Sequence, residues 1–178
     1  MEIRRIVPVG HQGQAEPDVR GALMQDALRN TDVVIENPEE ASGVWRMAGN
    51  PLEVAIVRAA AKEGVFIPEL IKDEGASERR PFTSEAKFSV AITHADSTHR
   101  VSILGAPEIV LGFTTLAEKQ KEEIRAMIDD FASKGERVLG VAAKDHPHKE
   151  EAIHANAPFS GFRFEGLISF YYPLRPGV

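Results

Sequence analysis

Apolar residues recur along the chain with two periods, one typical of strands and one typical of helices. Residues 3–9 are rich in β-branched side chains and predict a short strand. Residues 18–30 carry one apolar stripe at helical spacing, which predicts a helix. A second helix is predicted to begin at Pro51, after Asn50 as its N-cap, and to end at Gly64.

The second half of the chain predicts a hairpin, two helices and two further strands. The hairpin strands are 87–93 and 99–104, and their partial alternation of apolar and polar residues predicts that one face of the sheet is covered. A short helix is predicted at 106–111 and a long amphipathic one at 116–134, which Gly135 ends. The further strands are predicted at 137–143 and 162–171.

Two stretches, 73–80 and 144–158, are polar and predict loops. Helices mixed with mainly antiparallel strands predict an α+β fold, a sheet flanked by helices. The length of 178 residues suits one domain, and 43% hydrophobic with 27% charged residues is typical of a globular chain. We therefore expect residues 1–178 to form a single domain.

Composition excludes several functions. The chain has 21 basic and 27 acidic residues and no cationic block, so nucleic acid is not an expected partner. It has no cysteine, which excludes disulfides, thiolate metal sites and a cysteine nucleophile. Its apolar runs are shorter than the roughly 18 residues of a membrane-spanning helix, and its first residues lack a signal-peptide core. We expect no direct membrane insertion of this chain.

The common phosphate-loop, dinucleotide, zinc-protease and serine-hydrolase signatures do not occur in the sequence. Four other segments follow one another along the chain, and their combination is far more specific than any one of them. They are Gly49-Asn50-Pro51-Leu52-Glu53-Val54-Ala55-Ile56, Pro81-Phe82-Thr83-Ser84-Glu85-Ala86-Lys87-Phe88-Ser89-Val90, Leu104-Gly105-Ala106-Pro107-Glu108 and Gly135-Glu136-Arg137-Val138-Leu139.

This series resembles the nucleotide-binding (N) domain of P-type cation-transporting ATPases, in a divergent bacterial-type form, over nearly the whole chain. The resemblance implies an ATP-binding domain of a membrane pump, at the cytoplasmic face of the membrane. Residues 1–9 and 166–178 are then hinge strands toward a phosphorylation domain, which is an implied partner together with the actuator domain. The motif of the phosphorylated aspartate, Asp-Lys-Thr-Gly-Thr, does not occur here. We therefore expect this chain by itself not to be catalytic.

The resemblance also implies roles for individual residues. Phe82 would stack on adenine, and Glu53 would accept a hydrogen bond from the adenine amino group, which selects ATP over GTP. Lys87 would direct its ammonium at the nucleotide, and Arg137 would hold phosphate oxygens. Each also has an ordinary alternative: a core aromatic for Phe82, a first-turn carboxylate for Glu53, and solvated cations for Lys87 and Arg137.

The third segment completes the implied pocket and departs from the family pattern. Gly105 is a small residue that lets backbone approach a ligand closely. Leu104 replaces the usual lysine, so it can only pack against a ring or line the pocket.

Tyr172 is a second departure from the family pattern, since it stands where the hinge usually has aspartate. Mg²⁺ would arrive with ATP or from the phosphorylation domain.

Three alternatives compete with an ATP site. A degenerate N domain without nucleotide binding could act as a regulatory or docking module, and Leu104 in place of the usual lysine is the feature that supports this alternative. A free-standing enzyme would need a nucleophile or metal centre, and the sequence offers neither. His146, His148 and His154 lie close together, but their spacing favours a solvated loop over a metal site.

Overall fold

The computed structural model describes residues 1–9, 16–65, 76–95, 98–147 and 159–172. The strands are β1 (Glu2–Pro8), β2 (Val34–Ile35), β3 (Met47–Ala48), β4 (Ala76–Arg80), β5 (Phe88–Ala95), β6 (Thr98–Gly105), β7 (Arg137–Pro147) and β8 (Arg163–Tyr171). The helices are α1 (Glu16–Arg29), α2 (Pro51–Lys62), α3 (Pro107–Gly112) and α4 (Glu118–Ser133), with a 3-10 turn at Ser42–Val44.

Six strands form one sheet in the order β1-β8-β7-β6-β5-β4, and each neighbouring pair is antiparallel. Strands β4 to β7 follow one another in chain order, whereas β8 inserts between β7 and β1. Strands β2 and β3 form a separate two-stranded ribbon. The predicted α+β fold, a mainly antiparallel sheet flanked by helices, is confirmed.

Helices cover both faces of the sheet, so the prediction of one covered face is wrong. One apolar cluster joins α1 and α2 to side chains such as Leu104, Val141 and Phe170. A second cluster joins α3 and α4 to side chains on the opposite face, such as Ile103 and Phe164. Strands buried on both faces lose the alternation of polar and apolar residues, which explains why the pattern was only partial.

Local sequence signals fix α2 as predicted. The Asn50 side chain accepts a hydrogen bond from the Leu52 N–H at 3.0 Å and so caps the helix, and Pro51 is its first residue. Gly64, just past the end of the helix, has φ 77°, which glycine adopts without strain. Helices α3 and α4 also begin and end within two residues of the predicted bounds.

The two predicted loops are wrong in part. Residues 76–80 form the edge strand β4, whose backbone pairs with β5, and an edge strand tolerates the polar composition that predicted a loop. Residues 144–147 extend β7, because β6 pairs with them as far as Pro147. The rest of both stretches, 73–75 and 148–158, lies outside the described residues. The ribbon of β2 and β3 was not predicted, since two-residue strands carry no period.

In the part of the chain that the structure describes, no helix combines the length and the apolar character needed to cross a bilayer.

Candidate functional site

The candidate site lies at one end of the sheet, where β5 and β7 begin and β6 and β8 end. A cavity of about 130 Å³ opens there, next to the first turn of α2. Five of the six residues that the sequence assigns to a ligand line this cavity, and they come from all four quoted segments. They are Glu53, Phe82, Leu104, Gly105 and Arg137.

Four separate elements bring these residues together. Glu53 lies in the first turn of α2, and Phe82 lies in the loop between β4 and β5. Leu104 and Gly105 are the last residues of β6, and Arg137 is the first residue of β7. Because β6 and β7 are antiparallel neighbours, the end of one strand lies beside the start of the other. The sheet topology therefore assembles the site.

The cavity has an apolar floor and an exposed aromatic ring at its opening. Leu52, Leu104 and Leu139 line it and are buried in the core. Phe82 also lines it, yet 47% of this residue is exposed to solvent. The alternative of an ordinary core aromatic therefore does not describe Phe82. An apolar ring at the opening of an apolar cavity suits a flat, partly polar ligand.

One oxygen of the Glu53 carboxylate is held by the backbone. Glu53 Oε2 accepts a hydrogen bond from the Asp32 N–H at 3.0 Å, which fixes the side chain against the segment that follows α1. Among the described residues, Oε1 has no hydrogen-bond donor. The carboxylate can therefore accept a hydrogen bond from a ligand in the cavity without releasing its own anchor.

Lys87 does not line this cavity but a wider depression beside it. That depression has a volume of about 500 Å³, and Phe82, Arg137 and Leu139 line both it and the cavity. Lys87 follows a turn in which its N–H donates to the Thr83 carbonyl at 2.7 Å. Its φ of 61° is uncommon for a residue with a side chain, and such conformations cluster at functional sites.

The two compartments differ in size and in the side chains that line them. Ligand pockets typically measure about 300–1,000 Å³, so the 130 Å³ cavity fits one ring system and the 500 Å³ depression fits larger polar groups. Lys87 and Arg137 both line the depression, and neither forms an ion pair within the described residues. The arrangement offers an apolar compartment with the Glu53 carboxylate, next to an open one that Lys87 and Arg137 line together with the exposed Glu108 and the buried, arginine-paired Glu136.

Sequence reasoning gave no role to Glu136, which directly precedes Arg137. Its side chain is fully buried and pairs with Arg4 and Arg5, at 3.2 Å each. Ser169 Oγ donates to Glu136 Oε2 at 2.6 Å. A register shift in β1 between Ile3 and Arg5 accompanies the approach of two successive arginines to one carboxylate. Glu136 thus ties β1 and β8 to the start of β7. The sequence signal for it was an acidic residue directly before the site arginine in the fourth segment.

Burial by itself raises the pKa of Glu136, but the hydrogen bonds from Ser169 and Arg5 and the charges of Arg5 and Arg4 outweigh it, and the net pKa lies below its usual value of 4.5. The ionised form therefore stabilises the fold at neutral pH. This contribution is lost as the pH falls below about 4.5 and through the lower pKa of the folded state.

Replacing Glu136 by glutamine is expected to lower the free energy of unfolding at pH 7 by about 2 kcal/mol, the usual range for hydrogen bonds to a charged group. The difference from the wild type should shrink as the pH falls below about 4.5, because the unfolded wild type then takes up a proton at Glu136 more readily than the folded state does. Urea unfolding followed by circular dichroism at pH 7 and pH 3 measures both. Glu118→Gln, at an exposed carboxylate, is the control. A difference that is the same at both pH values would contradict the assignment.

The structure describes only one of the three clustered histidines. His146 lies in β7 opposite His99 of β6, and His148 and His154 fall outside the described residues. Within the described residues, no three His, Asp or Glu side chains form a group that could hold a metal ion.

Comparison with known proteins gives a family match over most of the chain. A family model described as P-type ATPase, cytoplasmic domain N, matches residues 19–177. The plasma membrane-type calcium-transporting ATPase 10 of Arabidopsis thaliana is 30% identical over 174 residues, which cover 88% of this chain and 16% of the relative. The cation-transporting ATPase pma1 of Synechocystis sp. is 27% identical over 141 residues, covering 74% of this chain and 15% of the relative.

This chain therefore spans about one sixth of the length of the curated relatives it matches. The matched region includes all four motif segments, and the six-stranded sheet flanked by helices is compatible with such a domain. The chain belongs to the family of P-type ATPase cytoplasmic N domains.

Proposed function

We propose that this domain binds ATP, with adenine in the cavity and the ribose and phosphates over the neighbouring depression. The observation that carries the proposal is the convergence of Glu53, Phe82, Leu104, Gly105 and Arg137, from four separate segments, on one cavity. A base-sized compartment next to a wider one, where Lys87 and Arg137 can meet phosphate oxygens, matches the two ends of a nucleotide.

Phe82 and Glu53 recognise the base in this proposal. Stacking of a base on an aromatic side chain contributes about 1–3 kcal/mol and does not depend on which base is presented. Glu53 supplies the choice, because Oε1 accepts a hydrogen bond from the amino group of adenine. Guanine presents a carbonyl oxygen at that position, which repels the carboxylate. The site should therefore prefer ATP over GTP.

Arg137 and Lys87 hold the phosphates. The planar guanidinium of Arg137 suits two phosphate oxygens at once, and Lys87 acts as a point charge. Mg²⁺ arrives with the nucleotide or from another domain. One stack and one or two charge-assisted hydrogen bonds must offset at least about 4 kcal/mol of association entropy. The dissociation constant is then on the order of sub-millimolar to millimolar.

In a complete cation-transporting ATPase, the domain would present the γ-phosphate to an aspartate of the phosphorylation domain, at the cytoplasmic face of the membrane. Strands β1 and β8, which we assign to the hinge, are hydrogen-bonded neighbours in the sheet. A paired hinge lets the domain swing as one body, and such closure is a known way to complete a catalytic site. The partners are then the phosphorylation and actuator domains.

A titration with ATP, followed by calorimetry or by NMR chemical shifts, tests the proposal. Phe82→Ala should weaken binding about tenfold, within the range expected for loss of one stack. Glu53→Gln should reduce the preference for ATP over GTP. Val44→Ala is the control for Phe82, since Val44 is also an exposed apolar residue but does not line the cavity.

The absence of a saturable response to ATP up to several millimolar would contradict the proposal. That result would favour a docking or regulatory module instead. The buried Leu104, which stands in place of a lysine, agrees with this alternative. An equal response to ATP and GTP would remove only the role given to Glu53.

A further inference from the structure

Tyr172 is a second exposed aromatic side chain at the same cavity. Among the described residues, the large apolar or aromatic side chains with high exposure are Val34, Val44, Phe82 and Tyr172. Both aromatic ones line this cavity, and Tyr172 is the more exposed, at 60% against 47% for Phe82. Two solvated rings at one cavity call for a common explanation.

The order of the strands places the two rings at opposite sides of the cavity. Phe82 directly precedes the turn into β5, and Tyr172 directly follows β8. Strands β6 and β7 lie between β5 and β8, and they supply Leu104 and Leu139 to the floor. Three strand spacings separate β5 from β8, about 14 Å. Both side chains therefore have to lean over this floor from opposite sides to contact one flat ring between them.

The register of β8 explains why Tyr172 faces the cavity. Phe170 pairs with Arg137 and belongs to the apolar cluster under α1 and α2. Side chains two residues apart on a strand point to the same face, so Tyr172 continues the face of Phe170. Tyr171 points to the other face, where the Arg4 guanidinium lies 5.5 Å from its ring centre.

We infer that Tyr172 is a second aromatic contact of the nucleotide base and stacks on the side of the ring opposite Phe82. The inference rests on the proposed function, and it names a further residue of the same site that contacts the base. Leu104 and Tyr172, the two departures from the family pattern, both line this cavity. Where the family pattern has a lysine and an aspartate, this cavity is therefore lined by an apolar side chain and an aromatic one. Such a lining favours recognition of the nucleotide through its planar base.

The test is a titration of the full chain with ATP, followed by NMR on both partners. Tyr172→Leu should weaken binding about fivefold or more, and Tyr172→Phe should bind as the wild type does, because the ring makes the contact. The adenine H2 and H8 signals should also move upfield less in Tyr172→Leu, since one ring current is lost. The matched control is Tyr171→Leu, which removes the neighbouring ring from the opposite face.

The outcomes separate the inference from the function beneath it. A wild-type domain that binds ATP, with Tyr172→Leu equal to it in affinity and in base shifts, overturns the inference and leaves the proposed function intact. A wild-type domain that does not bind ATP overturns both. Because Tyr172 is exposed, Tyr172→Leu should unfold at the same temperature as the wild type.

Discussion

Replacing Arg100 by methionine is expected to lower the free energy of unfolding by about 3 kcal/mol, the lower end of the cost of breaking a buried ion pair. Arg100 Nε and Nη2 donate to the two oxygens of Asp26 at 2.8 and 2.6 Å, and Nη1 donates to Asp145 at 2.9 Å. Glu165 lies 3.5 Å from Nη2. The side chains of Asp26 and Glu165 are fully buried. Losing the guanidinium therefore leaves two buried negative charges with less positive charge beside them to compensate.

The expected loss in the free energy of unfolding stays near the lower end of the range because other arginines still pair with the two buried carboxylates. Arg29 lies 2.8 Å from Asp26, and Arg163 lies 2.7 Å from Glu165. The hydrogen bonds to Asp26 raise the pKa of Arg100, against the opposing effect of burial. The guanidinium therefore stays charged at every pH at which the domain folds. For this reason, the stability lost in Arg100→Met should not vary with pH through titration of Arg100.

Chemical unfolding of Arg100→Met and of Arg46→Met measures the effect against a matched control. Arg46 pairs with Glu36 on the surface, where an ion pair contributes less than about 1 kcal/mol. The double variant Arg100→Met with Asp26→Leu should recover part of the lost stability, because one of the stranded carboxylates is then removed. Equal stability of the two single variants would contradict the role given to this network.

The sequence predicts local structure well because the determining residues are neighbours in the chain. The Asn50 cap and the Pro51 start of α2 are readable without any knowledge of the fold. The network of Arg100 is not, since Arg100 and Asp26 are 74 positions apart and only the packing of α1 on the sheet brings them together. Nor does the sequence reveal that β4 is a strand, because its partner β5 supplies the hydrogen bonds.

The candidate site divides in the same way. The motifs predicted that Glu53, Phe82 and Arg137 belong together, and they line one cavity. Lys87 instead lines the neighbouring depression, and its backbone is left-handed. A lysine in the sequence gives no indication of such a conformation. Tyr172 reaches the cavity because β8 lies beside β7, a topological fact that no local pattern contains.

Replacing Gly105 by valine is expected to destabilise the domain by about 3 kcal/mol or more and to abolish measurable binding of ATP, because the first added carbon already overlaps backbone atoms. A Cβ at Gly105 would lie 2.5 Å from the Lys87 carbonyl oxygen and 2.6 Å from Phe88 Cα. Lys87 directly precedes β5 and Phe88 is its first residue, and the Ala106 N–H donates to the same Lys87 carbonyl at 2.8 Å. The overlap cannot be relieved by rotating a side chain.

The strands must separate at the end of the sheet that holds the site. Phe88 is the register partner of Gly105, so β5 moves away from β6 at its first residue and displaces Lys87 and the preceding loop with Phe82. Unfolding by urea and titration with ATP measure the two losses. Gly112→Val is the control, because nothing lies within 4 Å of a Cβ built at Gly112. If Gly105→Val kept the stability of the wild type and bound ATP equally well, the close approach of β6 to Lys87 would not be what shapes the cavity.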